Sequence, residues 1–306
     1  MTELYAWNNQ ISKLSSDDRV LITGASGWFG RNALEIVRSF GLKHLALGSE
    51  DKTLVCDGFE TRLYKQSLSM IREFSPTIVI DTAFLTRDKL ASLGRDRFIS
   101  INQKLISDSL EMASLSSVRK YVGFSSGATV NLAGESSFSL LENPYAALKR
   151  EYEDGITELS GLNQGKISIA RVWSVTGAHV TKPELFAFSN LINQARAGQV
   201  FIKSQRLMFR RYCTIADVLL VALAYYGEQG PIFDTGGELI EIGKLAEIIV
   251  QEVNPAAGIV RDLRESTGPD NYFSDGRVWD TLINAFQIRP SSIRDQVRAF
   301  AKSMNM

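Results

Sequence analysis

The sequence predicts an α/β protein: a doubly wound parallel sheet followed by a smaller, mostly α C-terminal lobe. Three observations carry this. Through residue 172, short apolar runs rich in β-formers alternate with longer amphipathic stretches, and such alternation places parallel strands between helices on both faces. The first apolar run ends in a glycine-rich turn, "TGASGWFG" at 23–30, that leads straight into a helical pattern. At 306 residues the chain can hold one large core or two joined ones.

Taken in order, the strands read "RVLIT" (19–23), "HLAL" (44–47), "TIVID" (77–81), "KYVGFS" (120–125) and "ISIARV" (167–172). Between them "RNALEIVRSF", "DRFISINQKLISDSLEMASL" and "YAALKREYEDGITELSG" read as helices. In the second, Phe98, Ile101, Leu105, Leu110 and Met112 recur at roughly helical spacing. After residue 173 the alternation becomes irregular, with helical segments near 183–198 and 242–253 divided by loops. That part reads as a lobe whose segments partly return to the sheet.

Composition narrows the partners. Apolar residues make up 44% of the chain and charged residues 22%, ordinary values for a soluble globular protein. Lysine plus arginine equals aspartate plus glutamate, 34 each, so nothing electrostatic favours nucleic acid or an anionic membrane. "MTELYAWNNQ" carries an early Glu3 and no apolar core, which argues against a signal peptide. The longest apolar run, "VLLVALAYY" from Val218, is about half the ~18 residues needed to span a bilayer. Cys56 and Cys213 stand alone, so neither a disulfide framework nor a zinc site is expected. His44 and His179 lack the neighbours of a metal site or a Ser-His-Asp triad. A cytoplasmic protein without bound metal is the expectation.

Gly24, Gly27 and Gly30 lie where a doubly wound sheet binds its ligands, at the carboxyl edge after the first strand. Glycines there let the backbone approach a pyrophosphate, which the helix N-terminus favours through its free N–H groups and dipole. A tight turn alone would also use small residues. Its place between first strand and first helix favours a dinucleotide. Trp28 and Phe29 are expected to pack while their N–H groups meet the cofactor.

A second motif, "NPYAALKR", sets Tyr145 and Lys149 four apart and so on one helix face. Asn143 suits an N-cap and Pro144 the first helical position. Of nine tyrosines only Tyr145 has a lysine four residues on. Upstream, "YVGFSSGATV" closes a strand with Ser125 and Ser126. A strand-end serine alone reads as a cap. The ordered set of glycine turn, serine and Tyr-x-x-x-Lys is much harder to obtain by chance.

Together these residues resemble the extended short-chain dehydrogenase/reductase superfamily, in its nucleotide-sugar epimerase/dehydratase branch. The GxxGxxG spacing of the turn fits it. "ARVWSVTGAH" (170–179) is similar to that branch's "RYFNxxGxH" segment and "RRYCTIADV" (210–218) to its "RDYxHVxDV". "IFDTGGELIEIGKLAEII" is similar to "xNxGxGxxxSxxELxxxI". The resemblance covers nearly the whole chain after residue 18. It implies a Rossmann-type NAD(P)-binding domain over 19–172, preceded by an extension over 1–18 and followed by a substrate-binding lobe over 173–306.

The resemblance also implies the chemistry. A phenol of ordinary pKa near ~10 is a poor base at neutral pH, and a neighbouring ammonium favours the phenolate. Tyr145 would then exchange a proton with a sugar hydroxyl while hydride passes to or from NAD(P). Ser126 would hydrogen-bond the same oxygen, with Ser125 and Thr129 as alternatives, and Lys149 would also hold the nicotinamide ribose. Cofactor contacts are implied at Gly24, Ser26, Gly27, Trp28, Phe29, Gly30, Ser49, Thr82, Ala83, Tyr145 and Lys149. Substrate contacts are implied at Ser174 and Arg210, the latter toward a diphosphate rather than pairing with Asp217. Helices near 96–115 and 145–161 would pair two chains into a homodimer.

Departures from the branch narrow the reaction. Gly127 and Ala128 occupy the positions where 4,6-dehydratases carry an acidic pair, which disfavours dehydration and leaves epimerisation or 4-keto reduction. Ser174 replaces the substrate-contacting Asn. "HLALGSEDK" puts Gly48 and Ser49 where an NAD enzyme has an Asp. Glu50 and Asp51 could still reach the ribose, whereas Ser49, Lys52 and Arg31 suit a 2′-phosphate, so NADP(H) is slightly favoured over NAD(H). A non-catalytic NAD(P)-binding sensor is the competing reading. The intact Ser, Tyr and Lys favour an enzyme.

Overall fold

The computed structural model describes residues 14–56, 58–130, 139–162, 165–227, 230–264 and 268–304. The extension expected over 1–18 lies outside them through residue 13. The chain divides into two compact units, Met1–Val172 with Leu219–Phe233, and Trp173–Val218 with Asp234–Met306.

The first unit opens with β1 (Arg19–Thr23), α1 (Trp28–Ser39) and β2 (Lys43–Gly48). β3 (Lys52–Cys56) and β4 (Phe59–Lys65) follow, then α2 (Leu68–Phe74), β5 (Ile78–Asp81), the single turn α3 (Leu90–Leu93) and α4 (Arg95–Ser114). β6 (Lys120–Ser126), α5 (Pro144–Leu162) and β7 (Ile167–Val172) complete the run. In the second part come β8 (Ser174–Thr176), α6 (Ala187–Arg196), β9 (Gln199–Ile202), β10 (Met208–Thr214), α7 (Ile215–Ala224) and β11 (Ile232–Asp234). Last are β12 (Glu238–Glu241), α8 (Ile242–Val253), β13 (Gly258–Arg261), β14 (Asp270–Tyr272), α9 (Arg277–Ala285) and α10 (Ile293–Ser303).

One eight-stranded sheet runs β11-β7-β6-β5-β1-β2-β4-β3. Its pairs from β7 through β4 are parallel. β1 lies between β2 and β5, with Leu21 opposite Leu45 on one side and Val79 on the other. The strand order reverses about β1, and that switch point puts the carboxyl ends of β1, β5 and β6 beside one crevice. Leu21, Val79, Tyr121 and Ile169 from the sheet and Phe98, Leu148 and Ile156 from α4 and α5 share one buried core.

The hairpin β3–β4 is absent from the sequence-based reading. Its strands are one-sided: Leu54, Cys56, Thr61 and Leu63 face inward while Val55, Phe59 and Tyr64 are exposed. Short half-buried strands with charged outer faces give little periodic signal. The run "VLLVALAYY" lies largely in α7, where Val218, Leu219, Val221 and Ala222 are fully enclosed. A helix apolar all round belongs in a core. No helix among the described residues is long and apolar enough to cross a membrane.

The second unit packs helices around two small sheets. In one, β10 lies between β12 and β14 and also pairs with β8; in the other β9 pairs with β13.

Candidate active site

The glycine turn is built by close approach. Gly24 has φ +58°, and a Cβ there would lie 2.8 Å from both the Ala83 nitrogen and Thr82 Oγ1. At Gly30 a Cβ would lie 2.4 Å from the Gly24 carbonyl oxygen, so the helix can start this near the turn only without a side chain. The ends of β1 and β5 are laced together. Thr82 Oγ1 donates to the Thr23 carbonyl at 2.7 Å, and the N–H groups of Thr82 and Ala83 both donate to Thr23 Oγ1 at 3.2 Å. α1 begins after Gly27 with no side chain capping it and no acidic residue in its first turn. These features fit a dinucleotide pyrophosphate: a backbone cradle and a helix start that no carboxylate contests. Trp28 is buried, and the Phe29 ring packs on Phe124 of β6 at 4.7 Å between centroids. Ser26 offers its carbonyl to Arg31 Nε at 3.0 Å.

At the end of β2, Ser49, Glu50 and Asp51 are exposed. Glu50 pairs with Lys52 at 3.0 Å, and Asp51 Oδ1 accepts from the Lys65 N–H at 2.6 Å. Both acidic groups nearest Gly48 therefore already have partners.

α5 starts at Pro144, and Asn143 Oδ1 accepts from the Ala146 N–H at 3.3 Å, the geometry of an N-cap. Tyr145 and Lys149 converge on one ring. Tyr145 meets Phe84 edge-on at 6.0 Å, while Lys149 Nζ lies 3.6 Å over the same ring. Lys149 is buried and donates to the Phe124 carbonyl at 2.7 Å. Burial pushes its pKa down to about 7, against the opposing pull of Asp81 and Glu153.

The three candidate hydroxyls separate clearly. Ser125 Oγ donates to Glu153 Oε1 at 2.5 Å, and Thr129 Oγ1 reaches the same oxygen at 2.9 Å. Glu153 is also held by Arg171, with Nε 2.9 Å from one carboxylate oxygen and Nη2 2.7 Å from the other. Burial alone would raise the Glu153 carboxyl; the bonds from Arg171, Ser125 and Thr129 outweigh it and hold it below the usual range. Ser126 differs. Its Oγ accepts from the Ala128 N–H at 3.2 Å, and its own hydroxyl hydrogen has no acceptor among the described residues. The turn after it, Gly127–Thr129, contains no carboxylate.

Ser174 and Arg210 belong to the second unit. Ser174 is half-buried in β8, opposite Tyr212 of β10. Arg210 forks onto Asp270, with Nη1 and Nη2 each 3.2 Å from one carboxylate oxygen, and Nη1 also donates to the Asp270 and Phe209 carbonyls. Its guanidinium lies over the Tyr272 ring at 5.5 Å. The acid beside Arg210 is thus Asp270 and not Asp217, which exchanges hydrogen bonds with Thr214 instead.

Sequence reasoning missed Asp81, Phe84, Tyr121, Tyr152, Glu153 and Arg171. Glu153 was legible in principle, since it stands four residues after Lys149 and so on the same helix face. Asp81, the one charge closing the apolar run "TIVID", was the other available signal.

A parallel sheet with a switch-point crevice, a glycine cradle and an open helix start defines an α/β protein of the dinucleotide-binding kind. The chain belongs to the NAD dependent epimerase/dehydratase family, whose model matches residues 20–234. It is an enzyme of the extended short-chain dehydrogenase/reductase type, in a family that depends on NAD. Among solved structures it is similar to a UDP-glucose 4-epimerase of Thermus thermophilus in complex with NAD (20% identity, 94% of this chain and 99% of that one, TM-score 0.69). An epimerase of Methanothermobacter thermautotrophicus is 19% identical over 94% of this chain and 92% of its own, with TM-score 0.71. A GDP-L-fucose synthetase of Naegleria fowleri bound to NADP is 16% identical over 95% of this chain and 94% of its own, with TM-score 0.66. No curated protein matches the chain by sequence.

Proposed function

We propose that the protein oxidises or reduces a sugar carbon of a nucleotide-activated sugar, as an epimerase or 4-keto reductase. The observation that carries this reading is the convergence of Tyr145 and Lys149 on Phe84, with a strand-end Ser126 whose hydroxyl hydrogen is uncommitted. A nicotinamide dinucleotide, when bound, supplies the acceptor and donor of hydride. Tyr145 takes the proton of the sugar hydroxyl, or returns it, and Ser126 donates a hydrogen bond to the same oxygen. Lys149 favours the phenolate by its charge and would hold the nicotinamide ribose.

Ser125 and Thr129 are poor substitutes for Ser126, because both hydroxyls serve the buried Glu153. Gly127 and Ala128 leave no acid to protonate a departing hydroxyl, which disfavours 4,6-dehydration. Asp51, held by the Lys65 N–H, supports NADP(H) over NAD(H); the Glu50–Lys52 pair occupies a candidate for each cofactor and favours neither. Ser174 and Arg210 are assigned to the sugar and its diphosphate, and α4 with α5 to a homodimer interface.

The test is exchange. The protein is incubated with UDP-, dTDP-, GDP- or CDP-sugars and each dinucleotide, and deuterium movement between sugar and nicotinamide is followed by mass spectrometry. Exchange with at least one sugar nucleotide is expected. Tight dinucleotide binding with no exchange on any of them would make the protein a sensor instead.

A further inference from the structure

Beneath Lys149 runs a string of buried polar groups that the proposed reaction does not use. Asp81, at the end of β5, is 6% exposed. One carboxylate oxygen accepts from Thr23 Oγ1; the other accepts from Ser109 Oγ at 2.5 Å and Tyr121 OH at 2.6 Å. Tyr121 OH lies 3.0 Å from Tyr152 OH. A phenol has one proton, and that of Tyr121 goes to Asp81, so Tyr152 is the donor in this second bond. Both O–H dipoles thus point down the string toward the carboxylate. Burial, with Asp81 next in importance, holds both phenols well above the usual tyrosine range, so neither competes with Asp81 for negative charge.

The string ends under the lysine. A Cβ at Gly123 would lie 1.9 Å from Tyr152 OH, so the phenol crosses β6 at the one residue with no side chain to block it. The next residue, Phe124, gives its carbonyl to Lys149 Nζ, which lies 5.7 Å from the centroid of the Tyr152 ring. The charges that act on this ammonium are Asp81 from β5 and Glu153 from its own helix; Tyr121 from β6 is bonded to the first and Arg171 from β7 to the second, and Tyr145 shares the Phe84 ring with the lysine. α4, packed along α5, spends its Asp108 on Lys104 and Gln66. Glu153 is already matched by the forked Arg171. Asp81 is served by three hydroxyls and has no ion-pair partner among the described residues.

We propose that Asp81, steadied by Thr23, Ser109 and Tyr121, is the counter-charge that keeps the buried Lys149 ammonium protonated and is therefore a positioning residue for catalysis. The same carboxylate fixes Thr23, whose hydroxyl oxygen receives the Thr82 and Ala83 N–H groups beside Gly24. One buried charge thus serves both the lysine and the glycine cradle. The inference rests on Lys149 acting with Tyr145, but the coupling between Asp81 and Lys149 is read without turnover, so its failure and the failure of the proposed reaction are distinguishable.

The test reads that coupling in the protein without cofactor. Carbon-13 NMR follows the Lys149 Cε and Asp81 Cγ resonances across pH, assigned by their loss in Lys149→Met and Asp81→Glu. In the wild type, Asp81 Cγ should move in step with the Lys149 titration, and that step should vanish in Lys149→Met. In Asp81→Asn the Lys149 midpoint should fall by about one pH unit, a tenfold loss of proton affinity, and Asp81→Glu should restore most of it. The alkaline limb of the kcat/KM profile should shift by the same amount, which a merely structural role would not produce. An Asp81 resonance silent through the Lys149 step, or an unchanged midpoint in Asp81→Asn, overturns the proposal. If Asp81→Asn does not fold, the wild-type titration decides alone.

Discussion

Two cations of this protein are held in opposite ways. Lys149 of the first unit is enclosed by a backbone carbonyl and aromatic rings, with no carboxylate among the described residues paired directly to it. Arg210 of the second unit is clamped by the forked carboxylate of Asp270. A desolvated ammonium without an ion pair has a proton affinity that nearby charge can adjust, and that suits proton chemistry. A guanidinium keeps its charge under all ordinary conditions and offers fixed geometry, which suits the recognition of an anion. Asp270 is the only carboxylate on Arg210 among the described residues and is partly exposed, so a phosphate group can take its place by exchanging one anion for another.

The largest expected effect breaks the first side of this contrast at its acid/base partner. Tyr145→Phe should lower turnover by about 10²-fold or more with dinucleotide binding retained, as measured by steady-state rates and fluorescence titration; near-wild-type turnover would remove Tyr145 from its role. Lys149→Met should lower both turnover and dinucleotide affinity, and it carries a signature in stability. The folded-state pKa of Lys149, about 7, lies below the unfolded value. Between about 7 and about 10.5 the unfolded chain therefore binds a proton that the folded chain lacks, and wild-type stability falls as pH drops through that window. The methionine variant lacks this loss. Its midpoint temperature relative to wild type should be higher at pH 6 than at pH 10, by a few degrees, in thermal melts. Equal differences at both pH values would mean that Lys149 is not held as a strained ammonium.

On the other side, Arg210→Ala should raise KM for a sugar nucleotide about ten- to a hundredfold with kcat little changed, since a diphosphate remote from the reacting carbon is bound alike in ground and transition states. Unchanged kinetics would leave Arg210 as a strut for Asp270 and β14. The smallest effect concerns the cofactor. A side chain at Gly48 would meet only ordinary contacts, the Glu50 carbonyl and Leu63 at 3.7 Å. Gly48→Asp should therefore fold and reverse a preference for NADP(H) by about tenfold, read from the two dissociation constants; a wild type that already prefers NAD(H) would refute the assigned order.

How much of this was legible in sequence depended on range. The five central parallel strands announced themselves through continuous apolar runs, and the start of α5 through the local chemistry of Asn143 and Pro144. The β3–β4 hairpin did not, because its four inward residues are spread over two short strands with charged outer faces. Tyr145 and Lys149 were visible as a pair because helical spacing is a local fact. The commitments of Ser125 and Thr129 to Glu153, and of Arg210 to Asp270, join residues 24 to 60 positions apart. No local pattern encodes such pairs; only the folded sheet brings them together.

The strand order also dictates a sequence of assembly. β7 acquires its outer neighbour, β11, only once the chain has reached residue 232. Before residues 222–226 are made, Ser168 lacks the Ala222 carbonyl that its hydroxyl meets at 2.6 Å, and Lys120, fully buried in the finished fold, lacks the Tyr225 carbonyl and the Tyr226 ring that enclose its ammonium. A ribosome-bound fragment ending near residue 172 would carry the glycine cradle and the Tyr-Lys helix on a sheet whose flank, at Lys120, lacks the cover of Tyr225 and Tyr226. The dinucleotide domain is therefore not a self-sufficient N-terminal module: its closure waits for a stretch of chain made some fifty residues later, and folding during synthesis must hold the flank open until that stretch arrives.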